Sequence, residues 1–136
     1  MNETADRLLE IVNSAEAELA AMSEADSERG SAGRWCAKEV LGHLIDSAAN
    51  NHQRFVRAQL QESLAFPGYD TNGWNRVQQY RAASWARLVE LWAAYNRHVA
   101  HVMRGIPAEA ASRVCRIGDG EPVTLSFLAT DYVRHL

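Results

Sequence analysis

Leu88, Leu91, Trp92, Tyr95, Val99, Val102 and Ile106 recur at three- and four-residue spacing, and only a helix presents such a series on one face. Ser84 stands at the N-cap of this helix, which is expected over residues 85–104, with Gly105 and Pro107 ending it. The same stripe appears three more times. Leu8, Ile11, Val12, Ala15, Leu19 and Met22 define a first helix from Thr4 to Met22. Val40, Leu41, Leu44, Ile45, Ala48, Phe55 and Val56 define a second from Ala37 to about Gln61, with Cys36 and Glu39 in a capping-box arrangement. Leu125, Leu128 and Tyr132 define a last one, from its cap Thr124 to Leu136. At about 1.5 Å per residue this last helix spans roughly 20 Å, less than the other three. Either the polypeptide continues past Leu136 or this helix is unusually short.

The segments between are turn-like. Ser23 to Gly33 is small, polar and glycine-bearing, and reads as a loop. Leu64 to Asp70 is a turn-rich crossover, after which Asp70 caps a short helix running to Tyr80, with Trp74 and Tyr80 pinning it to the bundle. Arg113 to Ile117 and Val123 form two short extended pieces around the turn Gly118-Asp119-Gly120. The expected fold is all-α: one domain over residues 1–136, a four-helix bundle with a short extra helix and a small hairpin-like loop. The long connection between the second and third long helices means that those two need not be antiparallel neighbours.

Composition excludes some function classes. The formal net charge of −3 disfavours a general nucleic-acid or anionic-membrane binder. No apolar run approaches a membrane span, and the N-terminus lacks the pattern of a secretion signal, so a cytoplasmic protein is expected. Cys36 and Cys115 form no CxxC and should remain thiols.

The chemistry-bearing residues fall on two helices. His43, Ser47, Asn50 and Arg54 make a polar strip along the flank of the second helix, with Asp46 one turn from His43. Asp131 and His135 lie one turn apart on the last helix and share its apolar face. A neutral imidazole on an inward face is a metal-ligand candidate, and bundles build metal sites from facing helices. His52 projects into the apolar face of its helix and reads as structural. His98 and His101 have chelating i, i+3 spacing, but Arg97 and Arg104 flank them, which disfavours a cation. There is no HExxH, no phosphate-binding glycine loop and no serine or cysteine triad order.

Taken together, WCAKEVLGHLIDSAANNHQRF, the GYD…WN…Y segment, LWAAYNRHVAHVMRGIP and the closing TLSFLATDYVRHL resemble the DinB-like (YfiT-like) family of metalloenzymes. The resemblance covers most of the chain from Trp35 onward. It implies a four-helix bundle, often dimeric, and a divalent metal, nickel or zinc, held by three histidines. Two of these match His43 and His135; the third would fall four residues after His135, past Leu136. His43, His135 and a carboxylate, Asp131 or Asp46, would make a partial set completed by water. The implied reaction is transfer or hydrolysis of a small molecule by a metal-activated thiol or water. Asp46 or Asp131 would orient a ligand or act as base, and Asn50 and Arg54 would bind an anionic substrate. The alternative is a non-catalytic bundle used for dimerisation or partner binding. A short last helix would strip cover from Leu88, Tyr95 and Val99, so a homodimer or swapped assembly is expected.

Overall fold

The amphipathic stripes fold onto one another in a computed structural model that describes residues 1–30 and 33–136. Residues 31 and 32 of the expected Ser23–Gly33 loop lie outside the described residues. The long helices are α1 (Asn2–Ala21), α3 (Ala37–Ala58), α5 (Trp85–Arg104) and α7 (Leu125–Arg134). Both α5 and α7 lie against α1 and α3, which gives a four-helix bundle. Despite the long connection between them, α3 and α5 lie in extensive contact. Leu8, Val12, Phe55, Trp92, Val99, Met103 and Leu125 fill the core and are almost fully buried. No helix among the described residues is long and apolar enough to cross a membrane.

Several local expectations are corrected. A single turn of helix, α2 (Glu24–Ser27), forms inside the expected loop, because the Ser23 hydroxyl accepts from the Asp26 N–H at 3.1 Å. Helix α3 stops at Ala58, three residues early. Arg113 reaches across to donate to the Ala58 and Gln59 carbonyls at 3.0 and 2.7 Å, and so satisfies the helix end. The crossover opens with a strand, β1 (Ser63–Phe66), which runs parallel to β2 (Val114–Ile117). The latter pairs antiparallel with β3 (Val123–Thr124). The turn after β2 needs its glycine: Gly118 sits at φ 56°, and its N–H extends the ladder to the Phe66 carbonyl at 2.8 Å. The remaining helices are α4 (Thr71–Gln78), followed by a 3-10 turn at Tyr80–Ala82, and α6 (Ala108–Ala111).

Asp70 and Ser84 occupy the N-cap positions of α4 and α5, but neither side chain makes a capping bond. For α5 the acceptor comes from far away: Glu24 Oε2 takes the Trp85 N–H at 3.0 Å. Glu24 also meets Lys38, whose ammonium is buried and donates to Glu24 and Glu28 at 2.5 and 2.8 Å. The Arg81 carbonyl lies 3.5 Å from the same ammonium. Of the two aromatics expected to pin α4, Tyr80 is buried while Trp74 is exposed beside Tyr69. The other anchor is Asn75, which donates to the Glu39 carbonyl at 2.7 Å.

The apolar faces are also narrower than the stripes imply, since Val40, Val56 and Leu91 are exposed. Leu88 and Val99 keep their cover within the chain, so the expected loss does not occur at those two; Tyr95 is half-buried, its hydroxyl 3.3 Å from His52 Nδ1. Apolar surface is open elsewhere. Ile11, Leu19, Val40, Leu44, Trp85 and Leu136 line a groove of about 400 Å³ between α1, α3 and α5. Both cysteines are buried free thiols.

Candidate metal and substrate cleft

Helices α3 and α7 wall a cleft of about 550 Å³. From α3 come His43, Ser47, Asn51 and Arg54; from α7 come Leu128, Asp131, Tyr132 and His135. His43, Arg54, Asp131 and His135 are thus brought together, whereas Asp46 and Asn50 do not line the cleft. Helix geometry explains the split. At 3.6 residues per turn, Ser47, Arg54 and Asn51 rotate roughly 20–80° to one side of His43, and Asn50 and Asp46 rotate roughly 20–60° to the other. That second side faces the α4 excursion. There Asp46 is buried, and its Oδ1 accepts from Tyr80 Oη at 2.5 Å and from the Gln78 amide. The Asn50 amide donates to the Asp46 backbone carbonyl at 2.9 Å, on the side away from the cleft. Asn51 takes its place on the cleft wall, a residue that the strip at i, i+4, i+7, i+11 passed over.

Gly42 is what allows this arrangement. A Cβ there would stand 2.1 Å from Tyr80 Cδ2, so only glycine lets the aromatic ring lie flat on α3 and deliver its hydroxyl to Asp46. The signal was in the sequence: an interior helix glycine flags a close approach.

Two histidines have the chemistry of metal donors. The Nδ1 of His43 is buried with no hydrogen-bond partner among the described residues. Burial holds its imidazole below the ordinary pKa of 6.5, with Asp46 opposing the shift and His135 adding to it, which favours the neutral form. His135, exposed at the end of α7, donates from Nδ1 to the Asp131 carbonyl at 2.8 Å, with the Asp131 carboxylate 3.8 Å away. That bond fixes the tautomer and leaves Nε2 with its lone pair. Burial first of all raises the Asp46 carboxyl above its ordinary range, while the Tyr80 bond, His43 and Gln78 oppose the rise; its Oδ2 is buried and unpartnered. These donors fit a divalent cation in kind, but among the described residues no three His, Cys, Asp or Glu side chains converge closely enough to enclose one.

The other histidines lie apart from the cleft. His52 and His98 meet edge-to-face at 4.9 Å between α3 and α5, and His98 and His101 are exposed. The flanking arginines turn away from them, Arg97 to Glu16 and Asn13 and Arg104 to Asp6.

A model of the DinB superfamily matches residues 1–136. The chain belongs to the DinB superfamily. No curated protein matches it. Among solved structures, YfiT from Bacillus subtilis, described as a probable metal-dependent hydrolase with an unusual four-helix bundle topology, superposes with a TM-score of 0.82. The two are 23% identical, and the match covers 99% of this chain and 81% of that one. At that identity the likeness establishes the fold alone, a four-helix bundle.

Proposed function

We propose that the protein binds a divalent metal, nickel or zinc, through His43 and His135, and uses it in hydrolysis or group transfer on a small molecule. The observation that carries this reading is the buried, unpartnered Nδ1 of His43, on a half-buried imidazole that lines the same cleft as Asp131 and His135. The description of YfiT as a probable metal-dependent hydrolase supports it. A metal held there would supply Lewis acidity, lowering the pKa of a water or thiol. Asp131 stands on the cleft wall, where its carboxylate would accept a proton from the nucleophile. Asp46, held by Tyr80 and Gln78 under the excursion, biases the charge of His43 from behind and is a positioning residue.

The test is metal content by elemental mass spectrometry on protein purified without a tag or chelator. Near-stoichiometric nickel or zinc, lost in both His43→Ala and His135→Ala, is the expected result. Metal retained by both variants, or none in the parent after incubation with either ion, refutes the reading. A second reading, a bundle that binds a partner without catalysis, is favoured by one observation: no third ligand converges on the two histidines among the described residues. Metal-free protein with full fold stability would support it.

A further inference from the structure

At the far end of the cleft from His43 stands Arg54, 9% exposed. Its only side-chain hydrogen bond among the described residues is a long one, from Nη1 to Asn51 Oδ1 at 3.3 Å. Its Nε is buried and has no partner, and no described salt bridge includes it. A buried guanidinium carries five donors and a fixed charge, and leaving both unmet is costly unless a counter-ion arrives. The Phe66 ring of β1 lies 5.4 Å from its central carbon. That cation–π contact holds the group in place without using its N–H edge.

Position along the helix adds a length. His43 and Arg54 are eleven residues apart on α3, which is roughly 16 Å at 1.5 Å per residue. Ser47 and Asn51 line the wall between them, with Leu128 and Tyr132 opposite. A lone anion would occupy one end only; a cavity of about 550 Å³ admits a molecule that reaches both.

We propose that the ligand of this cleft is an elongated anion, whose carboxylate or phosphate pairs with Arg54 and whose other end reaches His43 and His135. The span, though not the anion site, rests on the histidine end being the reacting centre. The middle of the ligand is largely apolar, to suit Leu128 and the ring of Tyr132. The Asn51 amide already donates to the Ser47 carbonyl at 2.9 Å, so Asn51 positions the guanidinium rather than gripping the chain.

The anion site is tested first, on metal-free protein. Linear alkanoates, alkyl phosphates and uncharged alcohols of matched length are titrated while the Arg54 Nε–H signal is followed by NMR. Both anions should shift that signal and bind at least tenfold more tightly than the alcohols, with the advantage gone in Arg54→Gln and kept in part by Arg54→Lys. The tighter of the two anion series identifies the natural head group. Anions that leave the Arg54 signal unmoved, or bind no better than alcohols, overturn the proposal on the parent protein alone, whether or not a variant folds. The span is tested on nickel-loaded protein with chains bearing a hydroxamate at one end and a carboxylate at the other. Affinity should peak at one intermediate chain length, shorter than the roughly 16 Å between the two backbone positions because the Arg54 side chain leans toward His43, and a flat length series overturns the two-ended geometry. If the protein takes up neither nickel nor zinc, the metal reading fails, while the first titration still decides the anion site.

Discussion

Substituting alanine at Gly42 tests the contact on which the candidate site is built. The new Cβ would fall 2.1 Å from Tyr80 Cδ2 and 2.2 Å from Cγ, well inside contact distance, so the ring must leave α3. Forcing a buried ring aside costs about 1–3 kcal/mol. It also removes the Tyr80 bond to Asp46, a hydrogen bond to a charged group that contributes about 1.5–3 kcal/mol. Against this, alanine in place of glycine favours a helix by about 1 kcal/mol. The balance is a loss of about 1.5–5 kcal/mol, and with a urea slope near 2 kcal/mol per molar the midpoint falls by about 0.8–2.5 M. Equilibrium urea unfolding at pH 7 measures it. A Gly42→Ala variant as stable as the parent would refute the reasoning. The double variant isolates the cause: in a Tyr80→Ala background the same change should be neutral or stabilising by up to about 1 kcal/mol. If the cost persists there, Tyr80 is not its source.

Other expectations follow from buried polar groups. The folded-state pKa of Asp46 is raised above 3.8, chiefly by burial, so its contribution to stability is full below the unfolded value and is lost as pH rises through the folded value. Asp46→Asn should therefore flatten the stability–pH curve above pH 4; an unchanged slope in urea midpoints would contradict this. Tyr132 donates to the buried Asn96 Oδ1 between α7 and α5, and Tyr132→Phe should cost about 1–2 kcal/mol by leaving that acceptor unmet, as read by thermal or urea unfolding. The apolar groove along α1 and α3 makes a homodimer the expected state at micromolar concentration; a 15.2 kDa particle in light scattering would count against it.

The four long helices were legible because each carries a sustained apolar stripe, and the same projection puts His43 on the flank of α3 beside the cleft; His135, expected on an inward face, is exposed where α7 ends. What was illegible depends on partners distant in sequence. Nothing near Ala58 signals that Arg113 will end α3, and nothing near Ser63 signals a parallel partner some fifty residues on. The polar strip of α3 was read as one surface, yet the α4 excursion covers one edge and α7 walls the other. That division assigns Asp46 and Asn50 to one neighbour, and Ser47 and Asn51 to the other. Projection places residues around an axis; it does not say which neighbour each sector meets. Arg54 was legible as a position but not as a buried charge, since its burial comes from neighbouring segments such as Phe66 of β1.

The Lys38 ammonium and the Glu24 carboxylate have a consequence for how the molecule opens. Glu24 accepts the first N–H of α5 and binds an ammonium rooted in the first turn of α3, and the Trp85 indole donates to the Leu19 carbonyl near the end of α1. Three helix ends that lie far apart in sequence thus share one set of bonds, and fraying any of them unseats the others. Amides in the last turn of α1 and the first turns of α3 and α5 should therefore exchange with deuterium together, as a single sub-global unit rather than as three independently fraying termini.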